Sequence, residues 1–385
     1  MKWKEYSLDE LIHIKHGYAF KGEFFSEEPT DDILLTPGNF AIGGGFKAQK
    51  LKYYNGDFPV DYILDENDVI VTMTDLSKEA DTLGFSAKVP AWYGKRFLHN
   101  QRIGLVKLKT DEFDQNYLYW LMRTFSYQRF VANGATGATV KHTSPTKICQ
   151  YKFTAPEDKT TQRKIASILS AYDDLIENNL KRIKLLEEKA FASYKLIVQN
   201  EKLEEFTIEE LANVVMGQSP TSDTYTNEKE DNLPFHQGVT NFSNYFVEHK
   251  IFCKTPIKIA EEGDILFSVR APVGRINFTS DKICIGRGLC AFRSKKGFQN
   301  YLYHQLKEFF FAEDVIGNGA IFNAVTKVEL MKVKLKTPSE KIQQEFELEA
   351  QQKFNLILNL TKQNTKLREA RDILLPKLMN GQIEV

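Results

Sequence analysis

The residue types that most often build catalytic or metal centres occur in this chain without the spacing that such centres need. The four cysteines form no Cys-x-x-Cys pair, which is the usual arrangement in zinc sites. Gly43-Gly44-Gly45 precedes no helical pattern, and neither a Walker lysine motif nor an Asn-Pro-Pro-aromatic stretch of an amino-methyltransferase occurs. The histidines, none spaced as metal ligands, are His13, His16, His99, His142, His236, His249 and His304. We therefore expect no catalytic, metal or cofactor-binding centre in this chain.

Length and composition indicate an intracellular protein of two domains. The chain has 385 residues, more than one ordinary domain. Its 51 Lys plus Arg balance its 51 Asp plus Glu, so any basic surface must be local. The cysteines lie in apolar runs, as reduced core residues do, and neither a signal peptide nor a run of eighteen apolar residues occurs. We expect a cytoplasmic location and no membrane partner.

Two long stretches, Glu157 to Asn200 and Glu340 to Met379, carry apolar residues at steps of three and four, which predicts two long amphipathic helices. At 1.5 Å per residue, about forty residues span roughly 60 Å, more than a compact domain needs. We expect the two apolar faces to bury each other. The spacing also places Ile168, Leu175 and Leu180 on this face. The predicted interface comprises Ile165, Tyr172, Ile176, Ile183, Phe346, Phe354, Ile357 and Leu367.

The segments that precede the two helices repeat each other. Tyr6 to Leu11 is answered by Phe206 to Leu211, at an offset of 206 − 6 = 200. The tetrapeptide Asn-Tyr-Leu-Tyr begins at both Asn116 and Asn300, and buried strands precede it in both halves. Between such landmarks the loops differ, and residues 57–64 and 86–99 have no clear counterparts. A shared framework with different loops is expected of two modules that do the same task on different targets.

The order is thus module, helix, module, helix. The boundaries are residues 1–155 for the first module, 156–202 for the central helix, 203–337 for the second module and 338–385 for the terminal helix. This order resembles the specificity subunits of type I DNA restriction-modification systems along essentially the whole chain. That family enters its helices through a Pro-x-x-x-x-x-Gln pattern like Pro156…Gln162 and Pro338…Gln344, and the ending from Leu374 to Ile383 is similar to its tail.

The resemblance implies an α+β fold in which two similar mixed α/β target recognition domains are joined by two long helices. The helices would form an antiparallel coiled coil with pseudo-two-fold symmetry. Each domain would read a short half-site of double-stranded DNA in the major groove, with half-site centres roughly 34 Å apart. The chemistry would belong to partners: methyltransferase subunits that use S-adenosylmethionine on adenine, and restriction subunits that use ATP and magnesium. This chain would hold no cofactor.

Loop residues beside the repeated strands are the candidates for DNA contact when they carry hydrogen-bond donors or flat side chains. Arginine can bind guanine O6 and N7 together, and Gln or Asn can bind adenine N6 and N7. The first-module candidates are Tyr18, Lys21, Thr74, Gln101, Arg102, Thr139, Lys141 and His142. The second-module candidates are Gln218, Thr221, Gln237, Arg270, Arg287 and Asn323.

Several of these residues have a structural alternative. Arg102 and Arg287 each precede the same repeated strand, so both could instead pair with a buried carboxylate. Arg270 is the better candidate for a base contact, since Thr74 stands there in the first module. The tyrosines of the repeated tetrapeptides are expected in the core, and Gly17 and Gly217 are expected to form turns. Asn179 and Asn364 either fix the register of the helices or are solvated.

Other functions remain open at this point. The same architecture can serve a methylation-only system, or one whose nuclease is fused to its methyltransferase. A methyltransferase or nuclease with an unrecognised motif belongs to the enzyme class. A two-module adaptor that binds proteins belongs to a third class.

Overall fold

The computed structural model describes residues 2–77, 79–243, 245–311 and 324–385, which divide into two compact units. The first unit comprises Met1–Ile176 with Thr365–Val385, and the second comprises Glu177–Asn364. No helix within the described ranges is apolar over a length that could cross a membrane. Each unit contains one mixed α/β module and a part of each long helix.

The first unit is built on two sheets of four and five strands. The four-stranded sheet has the order Ile12–His16, Ile103–Leu108, Val69–Thr72 and Ser86–Lys88. The five-stranded sheet has the order Phe25–Ser26, Lys52–Tyr54, Asp32–Leu34, Arg96–Leu98 and Ile63–Leu64. Shorter pairs join Trp3–Ser7 to Lys152–Pro156 and Thr74–Asp75 to Lys141–His142. The module's helices are Leu8–Leu11, Gln115–Leu121, Phe125–Asn133 and Pro145–Cys149.

The second unit repeats this topology. Its four-stranded sheet has the order Ala212–Met216, Leu289–Ser294, Ile265–Ser268 and Ile276–Phe278. Its five-stranded sheet has the order Tyr225–Thr226, Phe252–Cys253, Leu233–His236, Ile283–Ile285 and Ile259–Ala260. A shorter pair joins Glu204–Thr207 to Lys334–Thr337. Within the described residues, the module's α-helices are Ile208–Leu211, Gln299–Phe311 and Lys327–Met331.

Equal strand order shows that segments without sequence similarity are nevertheless equivalent. Strands Ile63–Leu64, Ser86–Lys88 and Arg96–Leu98 occupy the sheet positions held in the second unit by Ile259–Ala260, Ile276–Phe278 and Ile283–Ile285. The expectation that residues 57–64 and 86–99 lack counterparts is therefore wrong for these strands. A sheet position requires only backbone pairing and burial, which different side chains can satisfy.

One inner strand of each four-stranded sheet, Val69–Thr72 or Ile265–Ser268, lacks apolar–polar alternation because both of its faces are covered. In Val69–Thr72, Val69 and Val71 pack in one hydrophobic cluster while Ile70 packs in another. In the second unit, Phe267 and Leu266 divide between two clusters in the same way. A strand buried on both faces reads as a continuous apolar run.

The two long helices pair within each unit. The central helix spans Lys159–Asn200 and the terminal helix spans Glu340–Met379. In the first unit, Ile165 and Leu169 of the central helix share a core cluster with Leu378 of the terminal helix. Gly381 ends the terminal helix with a positive φ of 74°. The start of the central helix thus lies beside the end of the terminal helix in this unit, which is an antiparallel arrangement.

The second unit shows the same antiparallel pairing. Ile183 clusters with Ile357, and further along the central helix Tyr194 clusters with Phe346. Asn179 donates a hydrogen bond from Nδ2 to Oδ1 of Asn364 at 2.9 Å, and both residues are buried. The two asparagines therefore take the register-fixing arrangement rather than the solvated one.

The predicted helix interface is narrower than the apolar spacing suggested. Ile168, Leu175 and Leu180 are 37%, 52% and 40% exposed, so placing them on the buried face was wrong. Steps of three and four cover a wider stripe than one neighbouring helix can bury. Of the predicted interface residues, Tyr172 and Leu367 are partly buried. The others, Ile165, Ile176, Ile183, Phe346, Phe354 and Ile357, are buried.

The glutamine of the helix-entry pattern has a structural role. Gln162 is fully buried, donates to the Pro156 carbonyl at 2.9 Å and accepts from the Asp114 backbone N–H. In the second unit Gln343 donates to the Pro338 carbonyl at 3.0 Å. The equivalent of Gln162 is thus Gln343, one residue before the position that the motif predicted.

Candidate nucleic-acid interface

In the first unit, backbone hydrogen bonds bring the predicted loops together along one edge of the module. Tyr18 N–H donates to the His99 carbonyl at 2.8 Å, and Gln101 N–H donates to the Tyr18 carbonyl at 2.9 Å. The Arg102 carbonyl accepts from Met73 N–H at 3.0 Å. These bonds place three loops, around residues 18, 101 and 74, side by side.

A fourth loop completes this edge, which we call the first loop edge: residues 17–21, 73–77, 99–102 and 136–143. Thr143 N–H donates to the Met73 carbonyl at 3.0 Å, and Lys141 pairs with Asp75 across a short antiparallel ladder. Thr136 and His142 bridge the two sides of that loop. The sequence candidates of the first module therefore lie on one edge.

The predicted DNA-contact residues on the first loop edge differ in their solvent exposure. Tyr18 and Lys141 are partly exposed. Thr74 is 4% exposed, and its hydroxyl lies 3.2 Å from His142 Nδ1, so it orients His142 and is not available to contact a base. Burial of Thr74 follows from its place in a ladder strand. The exposed candidates are Lys21, Gln101, Arg102, Thr139 and His142.

The second unit has an equivalent edge, which we call the second loop edge: residues 217–221, 237–238, 269–275 and 286–288. Gln218 N–H donates to the Ile285 carbonyl at 3.0 Å, and Gly288 N–H donates to the Gln237 carbonyl at 3.1 Å. Val269 N–H donates to the Gly288 carbonyl at 3.0 Å. The exposed candidates on this edge are Gln218, Thr221, Gln237, Arg270 and Arg287. Asn323 lies outside the described residues.

The strand pairing of the two units shifts the sequence alignment of Arg102 with Arg287 by one residue. Ile103 pairs with Thr72, and Leu289 pairs with Ser268, at the same place in the two four-stranded sheets. Counting back from these strands, Gln101 is the equivalent of Arg287. Arg102 is the equivalent of Gly288, so the two arginines do not share a position.

The cations that pair with buried carboxylates lie further along these strands. Lys107 Nζ is 2.7 Å from Asp68, and Arg293 contacts Asp264 through two bonds of 2.7 and 2.8 Å. Arg102 and Arg287, by contrast, are exposed, and neither has an ion pair within the parts of the chain that the structure describes. The structural alternative for Arg102 and Arg287 is therefore wrong.

Gly17 and Gly217 are required because two backbone segments approach closely. A Cβ on Gly17 would lie 2.1 Å from the Asn100 carbonyl oxygen, and a Cβ on Gly217 would lie 2.1 Å from the Gly286 carbonyl oxygen. Neither glycine has a positive φ, so the close approach is what demands it rather than a turn. These glycines let residues 17–21 pair with residues 99–102, and residues 217–221 with residues 286–288.

Several histidines and tyrosines belong to the framework. Burial lowers the pKa of His99 and of His236 to about 4, and that of His304 to about 3, which keeps all three neutral near pH 7. The tyrosines of the repeated tetrapeptides are buried, which confirms their expected core position. Among the described residues, no group of three or more His, Cys, Asp or Glu is placed to hold a metal ion.

Sequence reasoning missed two residues that order the loop edges. Ser219 accepts a hydrogen bond from Arg287 N–H at 3.2 Å and donates one to Gln237 at 2.7 Å. Asn100 Oδ1 accepts from Arg102 N–H at 3.0 Å. The repeat register marked Gln218 and Gln101, and a search of their immediate neighbours would have found both residues.

A family profile and the similar proteins agree on one family. The sequence profile described as "Type I restriction modification DNA specificity domain" matches residues 1–188 and 200–367. The chain is 29% identical over 324 residues to the putative type I restriction enzyme MjaX specificity subunit of Methanocaldococcus jannaschii, covering 77% of this chain and 75% of that protein. It is 24% identical over 242 residues to the type I restriction enzyme EcoBI specificity subunit of Escherichia coli, covering 57% and 48%.

A solved structure supports the fold independently. The S subunit of a type I restriction-modification system from M. genitalium superposes with a TM-score of 0.62 at 18% identity, over 98% of this chain and 96% of that one. Similarity at this identity concerns the fold, while the profile matches both modules and most of both helices. The chain belongs to the type I restriction-modification DNA specificity family and carries that family's domain twice.

Proposed function

We propose that this chain is the sequence-reading subunit of a type I restriction-modification complex, and that each loop edge reads one half of a bipartite DNA target. One observation carries the proposal: the two edges share a backbone framework but present different side chains. Tyr18 is replaced by Gln218 at the equivalent position, and Gln101 by Arg287. A shared backbone framework that carries different hydrogen-bonding side chains suits two modules that recognise different DNA sequences.

The chemistry of the exposed side chains suits the major groove. Arg102 and Lys141 on the first edge supply cations, as do Arg270 and Arg287 on the second. Cations attract the phosphate backbone, and the arginine fork also fits the O6 and N7 acceptors of guanine. Since the chain has no net charge, these local cations matter more than the global balance.

The division of labour proposed for the complex leaves catalysis to other subunits. Methyltransferase subunits would bind S-adenosylmethionine and methylate adenine, and restriction subunits would bind ATP and magnesium. This chain would bind both kinds of subunit and bring them to the target, in the cytoplasm where the DNA lies. The family membership of the chain and the two modules on it support this assignment.

The test is to express the chain with the methyltransferase encoded beside it and to map N6-methyladenine across the host genome. We expect methylation at one bipartite motif that disappears when this gene is deleted. Arg270→Ala and Lys141→Ala should each change one half of the motif and leave the other half intact. Lys202→Ala is a matched control, since this exposed residue lies outside both loop edges.

Other results would reject the proposal or select a variant of it. Methylation or cleavage of DNA by the purified chain alone, with magnesium and S-adenosylmethionine, would contradict the non-catalytic role. A complex whose binding ignores DNA sequence would reject the reader function in favour of an adaptor. Neighbouring genes that encode only a methyltransferase, or a fused nuclease and methyltransferase, would identify the methylation-only or fused variant.

A further inference from the structure

Gln237 and Arg287, on different segments of the second loop edge, are joined through one hydroxyl group. Ser219 Oγ donates a hydrogen bond to Gln237 Oε1 at 2.7 Å. The same oxygen accepts a hydrogen bond from the Arg287 backbone N–H at 3.2 Å. The side chain of Gln237 and the backbone of Arg287 are therefore held in a fixed relation by Ser219.

Two glycines allow this close arrangement. A Cβ on Gly286 would lie 2.4 Å from Gln237 Oε1, and a Cβ on Gly288 would lie 2.4 Å from the Gln237 carbonyl oxygen. Gly288 N–H also donates to that carbonyl at 3.1 Å. Arg287 stands between the two glycines and is exposed. The backbone of Gly286-Arg287-Gly288 thus packs against Gln237, and the exposed Arg287 extends from this segment.

The side chains of Gln237 and Arg287 keep hydrogen-bonding groups that match the edges of particular bases. With one lone pair of Gln237 Oε1 occupied by Ser219, the amide keeps a second lone pair and two N–H donors, as adenine N6 and N7 require. Arg287 has no ion pair within the described residues and keeps its five donors, which fit guanine O6 and N7. Both groups are exposed on the same edge, so they can face adjacent base pairs.

We infer that Gln237 and Arg287 form one base-reading pair, that Ser219 is its positioning residue, and that the half-site of the second module contains a guanine next to an adenine. This inference rests on the proposed function and specifies it. The first module has no such pair, because Asn100 stands at the Gly286 position and Gln101 at the Arg287 position. The half-site of the first module is therefore independent of these residues.

The experiment measures binding of the complete complex, chain plus methyltransferase, to a duplex library in which each base pair of the second half-site is varied. Arg287→Ala should lose roughly 5- to 150-fold discrimination at one guanine position. Gln237→Ala should lose discrimination at the adjacent adenine. Ser219→Ala should relax that same adenine position by a smaller factor, since it frees the amide without removing it. Thermal melting of each variant checks that the fold is retained.

Lys282→Ala is the matched control. Lys282 precedes the strand Ile283–Ile285 at the end opposite Gly286, and it makes an exposed ion pair of 3.4 Å with Glu261. This variant should leave discrimination unchanged at every position. A contact of Arg287 to phosphate alone would instead weaken binding uniformly across the library and lower the salt dependence, and that result overturns the inference.

The outcomes separate this inference from the proposed function. A wild-type complex without any sequence preference contradicts the proposed function itself. A wild-type complex with a bipartite preference, combined with unchanged discrimination in Arg287→Ala and Gln237→Ala, overturns only the reading pair. Relaxation of different positions by Ser219→Ala and Gln237→Ala refutes the positioning role of Ser219.

Discussion

Arg123 provides the sharpest test of how the first module is fixed to the helices of its own unit. Its side chain is 3% exposed, and Nε donates to the Gly43 carbonyl at 3.0 Å. Nη1 donates to the Tyr119 hydroxyl at 2.7 Å and to a carboxylate oxygen of Asp173. Arg371 of the terminal helix donates to the other oxygen of Asp173. We predict that Arg123→Met weakens the first unit, because it breaks all three contacts while preserving most of the side-chain volume.

The expected loss of stability follows from the partners that remain. Removing one member of a buried ion pair costs about 3–5 kcal/mol. Asp173 keeps Arg371 and is 29% exposed, so the cost lies near the lower limit, about 3 kcal/mol. For a unit of this size, 1 kcal/mol shifts the melting temperature by about 2–4 °C. Arg123→Met should therefore lower the melting temperature of the first unit by about 6–12 °C.

Differential scanning calorimetry of the full chain measures this shift, with Arg129→Met as the control. Arg129 lies in the helix Phe125–Asn133, which begins just after Arg123, and is exposed, so its substitution should change stability by no more than about 0.5 kcal/mol. A double-mutant cycle with Asp173→Asn should give a coupling energy of about 1–3 kcal/mol. Equal melting temperatures for Arg123→Met and Arg129→Met would refute the reasoning.

Three further predictions concern the second unit. Burial raises the pKa of Glu187 to about 7, so ionisation of this carboxyl group lowers the stability of the fold as pH rises from about 4.5 to 7. In urea unfolding, Glu187→Gln should therefore stabilise the protein by roughly 2 kcal/mol at pH 8 and by less at pH 5. Asn364→Leu should cost about 1–3 kcal/mol of stability, because Asn179 loses the amide oxygen to which it donates. Replacing both asparagines by Leu should recover stability. Equal losses in the single and the double variant would contradict this. Gly217→Ala should destabilise by more than about 2 kcal/mol, because its Cβ would lie 2.1 Å from a carbonyl oxygen, while Gly238→Ala, with open space around its Cβ, serves as the control in thermal melting.

Local patterns predicted the main elements of this protein with good accuracy. The central helix begins at Lys159, close to the predicted Glu157, and the terminal helix spans Glu340–Met379 as its spacing indicates. Apolar periodicity and a terminal glycine are local properties, so a sequence displays them directly. The repeat also predicted that the two modules share a framework.

The positions of individual side chains were less accessible to sequence reasoning. Thr74 is only 4% exposed, because it lies in the short ladder with Lys141–His142. Arg102 and Arg287 look equivalent in sequence, but the strand register makes Gln101 the equivalent of Arg287. A slip of one residue is invisible in a repeat with low identity, whereas backbone pairing fixes it.

The sequence by itself determined that there are two related modules and two long helices, because these follow from repetition and from apolar periods along one chain. The tertiary structure alone decided which loops become neighbours, which arginines pair with carboxylates and which hydroxyl joins Gln237 to Arg287. Those relations connect residues far apart in the chain through hydrogen bonds between backbone segments. Spacing along the sequence carries no information about them, since they depend on sheet order and close packing.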